Sequence, residues 1–513
     1  MRMTTKKIVS ASLVAVLALS LVACGGNKKS TETTKTTAVG ETTAVGETTA
    51  TEVEVVKPAT ISVMMNGTVV TEANGRAAFE EQLEEALGGD IDIVFNQPEH
   101  SGYYDVVGTT FAGGDWPDVI LLGADHYSTY ASAGALWDMT EAWESSELKA
   151  SGRVINEAII DSLYIDGSIY GFAPTRGNGC ITYIKQDWLD AVGLEAPTTY
   201  DEYYEVIKAF TEGDPDQNGI NGDTYGVTAA GLVGGEAPYV NYLPEFYQGA
   251  YPDFYQNENG EWVDGFSEDA MKDALVRLQE AYSAGYLDKE TITNGTSDCR
   301  NKFYDEKVGV FTYWAGVWQS NLTDNLVANE HDGDLVALAP IAEVGNYVER
   351  QAAVWAITTK AENPEGIFKY FIETMLDGDR IQTLWTYGAE DTHWTTANGE
   401  FEMLPTPEKP DTMMKKNHID SMLSIATFIN GDPGANTQVD IAADSGRKFN
   451  DWAVMAPVIV NNDTTSSYSA DLWDLKNKVI TDVVTAGQSV DEGMAYYAEQ
   501  SASMVAEILE SLQ

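Results

Sequence analysis

From Thr60 to Gly123 the chain alternates short β-type runs with amphipathic helical ones. "TISVMMNG" (60–67), "DIDIVFN" (90–96) and "WPDVILLG" (116–123) read as strands. "GRAAFEEQLEEALGG" (75–89) and "GYYDVVGTTFAGG" (102–114) read as helices closed by glycines. A β-α-β-α-β order leaves few options. Parallel neighbours need crossover helices, so the fold class is α/β, a mostly parallel sheet flanked by helices. In such sheets ligands bind beyond the C-terminal ends of the strands. The loops at Asn66-Gly67 and at Gly123 to Tyr127 occupy those positions, which makes Asn66 and Tyr127 candidate ligand residues.

The chain has 513 residues, too many for one compact unit of ordinary size, so two lobes are expected. Its 80 acidic against 30 basic residues give a formal net charge of -50, which repels nucleic acid and anionic membrane and excludes DNA or RNA as partners. An aromatic content of 10% argues for a folded body despite that charge. Of the three cysteines, Cys180 and Cys299 lie far apart and form no C-x-x-C pair. Two buried thiols are expected there, and a disulfide between them is the other option.

The N-terminus has its own logic. Arg2, Lys6 and Lys7 precede an uncharged, mostly apolar run from Ile8 to Ala23, too short for a membrane span of about 20 apolar residues. It fits a secretory signal, residues 1–23. The run ends Leu21-Val22-Ala23-Cys24-Gly25, which resembles the lipobox of bacterial lipoproteins. That resemblance implies that Cys24 is the lipidated first residue of the mature protein, anchored to the membrane by its acyl chains. Behind it "TTAVGE" repeats at Thr36–Glu41 and Thr42–Glu47. Thr, Gly and Glu cannot bury enough surface to offset ordering entropy, so residues 24–57 are expected to be a flexible tether spanning roughly 30 Å.

Further along, "YGFAP" (170–174) and "KQDWLDAVGLEAPTTYDE" (185–202) are followed by "SEDAMKDALVRLQEAYSAGYLDKE", "KFYDEKVGVFTYWAGVW", "AVWAITTKAENPEGIFKYFIETML" and "YGAEDTHWTTANGEFEML". In this order and spacing they resemble the family 1 extracellular solute-binding proteins, capture subunits of bacterial carbohydrate ABC importers, in the branch of oligosaccharide and alginate-oligosaccharide binders. The resemblance runs from about Thr60 to the end. It implies a two-lobed, periplasmic-binding-protein-like fold of type II with hinge crossovers and a ligand cleft between the lobes. Lobe one would comprise 58–173 and 343–390, lobe two 174–342 and 391–513. The chain would cross near Pro174 and Pro340, and ligand would close the lobes about that hinge.

The resemblance also implies site residues. Trp314, Trp318 and Trp385 follow positions where the family places cleft residues. Arg176 and Arg350 follow the two crossovers, and Asn178 lies beside the first. Tyr242 sits in an aromatic-rich loop. Sugar rings present flat C–H faces to aromatic rings and hydroxyls to planar polar groups, so this mixture suits a carbohydrate. Core packing for each tryptophan, and an ordinary ion pair for each arginine, remain open.

Asp214, Asp216, Asn218, Ile220 and Asp223 carry oxygens in an EF-hand-like pattern with Gly219 at the sixth position. The bidentate Glu at the twelfth is missing. Alginate-binding relatives have a shortened calcium loop with acids at the ninth and tenth positions, whereas here the ninth is Gly222. A structural calcium or an Asx-rich turn are the two readings.

No H-E-x-x-H, nucleophile elbow, P-loop or dinucleotide fingerprint is present. The expected function is therefore non-enzymatic: a monomeric lipoprotein at the extracellular face of the cytoplasmic membrane of a Gram-positive bacterium, handing carbohydrate to ABC permease subunits. A surface-anchored polysaccharide-active enzyme is the alternative, and coupling to a sensor kinase is a further one.

Overall fold

The computed structural model describes residues 55–67, 74–232, 243–247, 249–257, 259–405, 418–435, 440–457 and 462–513. Cys24 and Tyr242 lie outside the described residues.

The opening alternation folds as its periodicity dictates. Strands Thr60–Met64, Asp92–Asn96 and Val119–Leu122 pair in parallel, with Thr60–Met64 in the middle. Helices Arg76–Ala86 and Tyr103–Gly113 make the crossovers. Val354–Ile357 then joins antiparallel to Val119–Leu122, and Gly171–Phe172 completes a five-stranded sheet on its far side.

A second, four-stranded sheet runs Leu335–Ala337, Cys180–Lys185, Val308–Trp314, Tyr225–Thr228. Cys180–Lys185 is buried at every position, as a central strand requires. The helix Tyr200–Glu212 that follows it is started by a capping box, Thr199 with Glu202, and buries Tyr203, Val206, Ile207 and Phe210 along one stripe.

Each sheet has its own core. The first gathers side chains from 61–173 and 352–389. The second gathers side chains from 180–347 together with Phe449 and residues of the C-terminal helices Asp463–Ala486 and Val490–Ser511. Two segments depart from the expected boundaries. Ile419, Ile425 and Ala426, expected with the second lobe, pack in the first core. They do so because 424–426 run back beside 154–175, bridging Thr175 to Ser424 and Val154 to Ala426. Val344 and Tyr347, expected with the first lobe, pack in the second. Cys180 and Cys299 are both buried and are not bonded to each other. Among the described residues no helix is long and apolar enough to cross a membrane.

Candidate functional site

Two stretches of chain, 174–180 and 347–350, pass between the sheets side by side. Glycines set their approach. A Cβ on Gly177 would overlap the Arg350 carbonyl, and one on Gly179 would lie 2.5 Å from the Val348 carbonyl oxygen and from the Phe449 ring. Backbone therefore lies against backbone. Arg350 N–H donates to the Asn178 carbonyl (3.1 Å), and Arg350 Nε–H donates to the Gly177 carbonyl (2.7 Å).

A carboxylate locks this junction. Glu349 is 1% exposed and accepts from Arg176 Nε–H (3.0 Å), Arg176 Nη2–H and Gly177 N–H (3.0 Å). A buried carboxylate is tolerated when a forked guanidinium and a backbone donor satisfy it together. Arg176 is thus held within the junction by Glu349.

Arg350 is the arginine that faces outward. Its guanidinium carbon lies 4.5 Å from the Trp314 ring centroid, a cation–π stack. Asn178 adopts a left-handed φ of 60° and donates from Nδ2 to the Ala315 carbonyl (3.4 Å), next to Trp314. Four candidates, Arg176, Asn178, Trp314 and Arg350, are therefore neighbours. Trp318, four residues on in the helix Val317–Ala328, is half-buried, edge-to-face with Tyr313 at 4.7 Å and with the Arg300 guanidinium 5.3 Å from its ring.

Two candidates are corrected. Tyr127 is 1% exposed, donates to the Leu163 carbonyl (2.6 Å) and accepts from Tyr170 N–H (3.0 Å). Residues Ala124–Ser132 form a helix, not a loop, and its phase turns Tyr127 into the core. Trp385 is also 1% exposed, caged by Phe79, Phe95, Trp355, Phe371 and His418. Six aromatic rings interlock there, so Trp385 is a packing residue.

The helices that begin beyond the first sheet present other groups instead. Tyr104 is 39% exposed and stacks on His126 at 3.7 Å with an interplanar angle of 11°. Tyr104 Oη accepts from Gly123 N–H (2.8 Å), which pins the ring over the end of the strand. Burial holds the His126 imidazole below its usual pKa, favouring the neutral ring. Nearby Asn66 Nδ2–H donates to His100 Nδ1 (2.8 Å). Sequence reasoning missed Tyr104. The signal was the Tyr103-Tyr104 doublet at a helix start: Tyr103 is buried, so its neighbour must point elsewhere on the helix.

The Asp214–Asp223 loop is compact. Asp214 accepts from Gly219 N–H (3.0 Å), and Asn218 Nδ2–H donates to both Asp216 (2.8 Å) and Asp223 (2.9 Å). The Asn218 amide bridges two carboxylates, and Asp216 keeps one buried oxygen without a partner. Burial raises the Asp216 pKa, with Asp223 and Asp214 adding to it. Among the described residues no three carboxylates, imidazoles or thiols converge as a ready-made metal cluster.

A family profile for bacterial extracellular solute-binding proteins matches residues 71–376, more than half of the chain. The chain belongs to that family. Lipoprotein LipO of Bacillus subtilis is 30% identical to this solute-binding protein over 233 residues, 44% of this chain and 45% of LipO. The chain thus matches about half of that relative's length. The polygalacturonan/rhamnogalacturonan-binding protein YtcQ of the same organism is 23% identical over 78% of this chain and 80% of its own. Among solved structures, an EF-hand mutant of the ABC-transporter substrate-binding protein FusA of Streptococcus pneumoniae, in complex with fructo-nystose, superposes with a TM-score of 0.58. It is 18% identical, and the superposition covers 88% of this chain and 97% of that one. The fold is accordingly the two-lobed one of this family.

Proposed function

We propose that this solute-binding protein captures an oligosaccharide between its lobes and delivers it to the permease subunits of an ABC importer, held outside the cell by a lipid on Cys24. One observation carries the reading: the Arg350–Trp314 stack with Asn178 beside it, built directly onto the junction between the two sheets. An aromatic face next to planar polar groups is what a sugar ring requires. Placed at a crossover, it can feel both lobes, so ligand there can bias their closure. Asn66, Tyr104 and His126 would meet the sugar from the first sheet, and Trp318 from the second. That YtcQ is named for binding pectic polysaccharides, and that FusA holds fructo-nystose, supports a carbohydrate.

Calorimetry with neutral and acidic oligosaccharides tests this. Saturable binding of one sugar class with the ligand recovered intact is expected. Release of shorter products would overturn it. Trp314→Ala should weaken binding about tenfold, ~1.4 kcal/mol, with the far-ultraviolet spectrum unchanged.

The Asp214–Asp223 loop suits a structural calcium. The side chains of Asp214, Asp216, Asn218 and Asp223 and the Ile220 carbonyl would hold it. The orphaned Asp216 oxygen and the amide lodged between two carboxylates fit a hard cation, which would pin the loop. A chelator should lower the urea midpoint of the wild type, and Asp214→Ala should abolish that sensitivity. Identical curves with and without chelator would remove the cation from the account.

A further inference from the structure

Among the elements packed on the first sheet lies a cavity of about 420 Å³. It is bounded by the helix Arg76–Ala86, the helix Arg380–Tyr387, the short ribbon beginning at Trp394 and the turn 428–433. None of its lining residues belongs to the junction segments 174–180 and 347–350. The helix Arg76–Ala86 starts near the C-terminal end of strand Thr60–Met64 and ends near the beginning of strand Asp92–Asn96. Arg380 pairs with Glu85 at the far end of that helix (2.6 Å), so one end of the cavity reaches toward the N-terminal ends of the strands, away from Asn66 and Tyr104, while His393, beside Trp394, bonds the Asn74 carbonyl at the start of the helix.

One wall is fixed, and several polar groups stand open to solvent. Gln82 donates to the Glu390 carbonyl and accepts from Glu390 N–H, both at 2.9 Å, which fixes one wall. Asp432 accepts from Gly434 N–H (2.9 Å) and from the Tyr387 hydroxyl through one oxygen. Its other oxygen, the Asp379 carboxylate and the Asn430 amide make no side-chain hydrogen bond within the described residues. Phe428 is half-buried at the rim and Trp394 backs the floor, stacked on Phe401 at 5.1 Å. The volume falls in the ~300–1,000 Å³ range of small-molecule sites. An aromatic rim with two carboxylates and an amide matches a hydroxylated ring: C–H faces on the aromatic, vicinal hydroxyls donating to carboxylates.

Charge decides which sugar. Asp379, Glu390 and Asp432 outweigh the one cation, Arg380, which is already paired with Glu85. A uronate would be repelled. We propose that this cavity is a second carbohydrate site, selective for neutral sugars and independent of the cleft. This rests on the oligosaccharide reading above: two contacts on one ligand chain raise its effective concentration at the cleft.

Hydrogen-exchange mass spectrometry of the full mature protein with nystose, a neutral tetrasaccharide, and with trigalacturonic acid tests it. Nystose, raised to its solubility limit, should slow exchange at least about threefold in 379–384 and 428–433. Trigalacturonic acid should not. Thr383→Trp, which fills the cavity, and Asn430→Ala should each abolish that protection. Protection confined to 176–180 and 314–318 would overturn the second site while leaving the cleft reading intact. Protection at 379–384 and 428–433 alone would do the reverse. Protection of the cavity segments that survives in Thr383→Trp, or appears equally with the acidic sugar, also overturns the proposal.

Discussion

Gly177→Ala is expected to be among the most damaging single-atom additions to this protein. The new methyl carbon overlaps the Arg350 carbonyl, a backbone atom that cannot rotate away. Relief requires the two crossover segments to separate, which breaks the Arg350 hydrogen bonds to Asn178 and Gly177 and the Glu349 bond to Gly177. Overpacking a core costs about 1–3 kcal/mol, and the lost bonds add to that. A loss of roughly 3 kcal/mol or more in urea unfolding is therefore expected, with weaker ligand binding because Trp314 and Arg350 shift together. Glu349→Ala should match it through a different cause, stranding Arg176 beside an empty carboxylate site at about 3–5 kcal/mol. Gly102→Ala is the control: nothing lies within 4 Å of its Cβ position. If Gly177→Ala and Gly102→Ala unfold at the same denaturant concentration, the packed junction is wrong.

The second large effect is a pH dependence carried by Glu245. This carboxyl is 1% exposed in the second core, on a short helical turn Pro244–Tyr247, and hydrogen-bonds with Thr182, which in turn meets Thr312 at 2.8 Å. Burial pushes its pKa from 4.5 up to about 8. Burial, with the Glu245 charge adding to it, raises the Tyr203 and Tyr347 pKa values well above the tyrosine range, so neither titrates in the same window. The folded protein holds a proton that the unfolded chain gives up above about pH 4.5. Stability from this group is therefore complete below pH 4.5 and is lost as pH rises toward 8. Over that interval the linkage amounts to a few kcal/mol. Asp187, pushed up to about 6 mainly by burial, acts in the same direction, so the comparison must be between variants. Glu245→Gln keeps a neutral group of the same shape. It should match the wild type at pH 5 and exceed it clearly at pH 8.5. Parallel stability curves for the two proteins would show that Glu245 is not the group responsible.

These cases show what the sequence made legible. The alternation of period-2 and period-3.6 runs between Thr60 and Leu122 specified three strands and two helices, because each run carries its own burial pattern. The pairing of Arg176 with the second crossover was harder. In "NYVER" the strand period already places Tyr347 and Glu349 on one face and Arg350 on the other, so a buried Glu349 was legible there, but its partner Arg176 lies 173 residues away and no local pattern links them. Trp314 and Trp385 could not be separated at all. Both sit in apolar surroundings in sequence, and only the five aromatic rings gathered around Trp385 from distant segments decide that it is core. Tyr127 failed for a local reason: glycine and aspartate suggested a loop, the chain makes a helix, and helical phase exchanged the roles of Tyr127 and His126.

The order of strands in the first sheet has a bearing on how the chain matures. Val354–Ile357 fills the place between Val119–Leu122 and Gly171–Phe172. Until residue 357 has been made, that sheet has a gap with two unsatisfied edges. All four strands of the second sheet, by contrast, lie between residues 180 and 337, inside the missing interval. The second sheet can close while the first still waits, and the first core is finished only when Ile425 and Ala426 arrive, whereas the second core waits for Phe449 and the C-terminal helices. A chain cut anywhere before residue 426 therefore yields no complete first core, however intact its opening strands. Synthesis must pass residue 426 before the half of the chain that was made first can be completed.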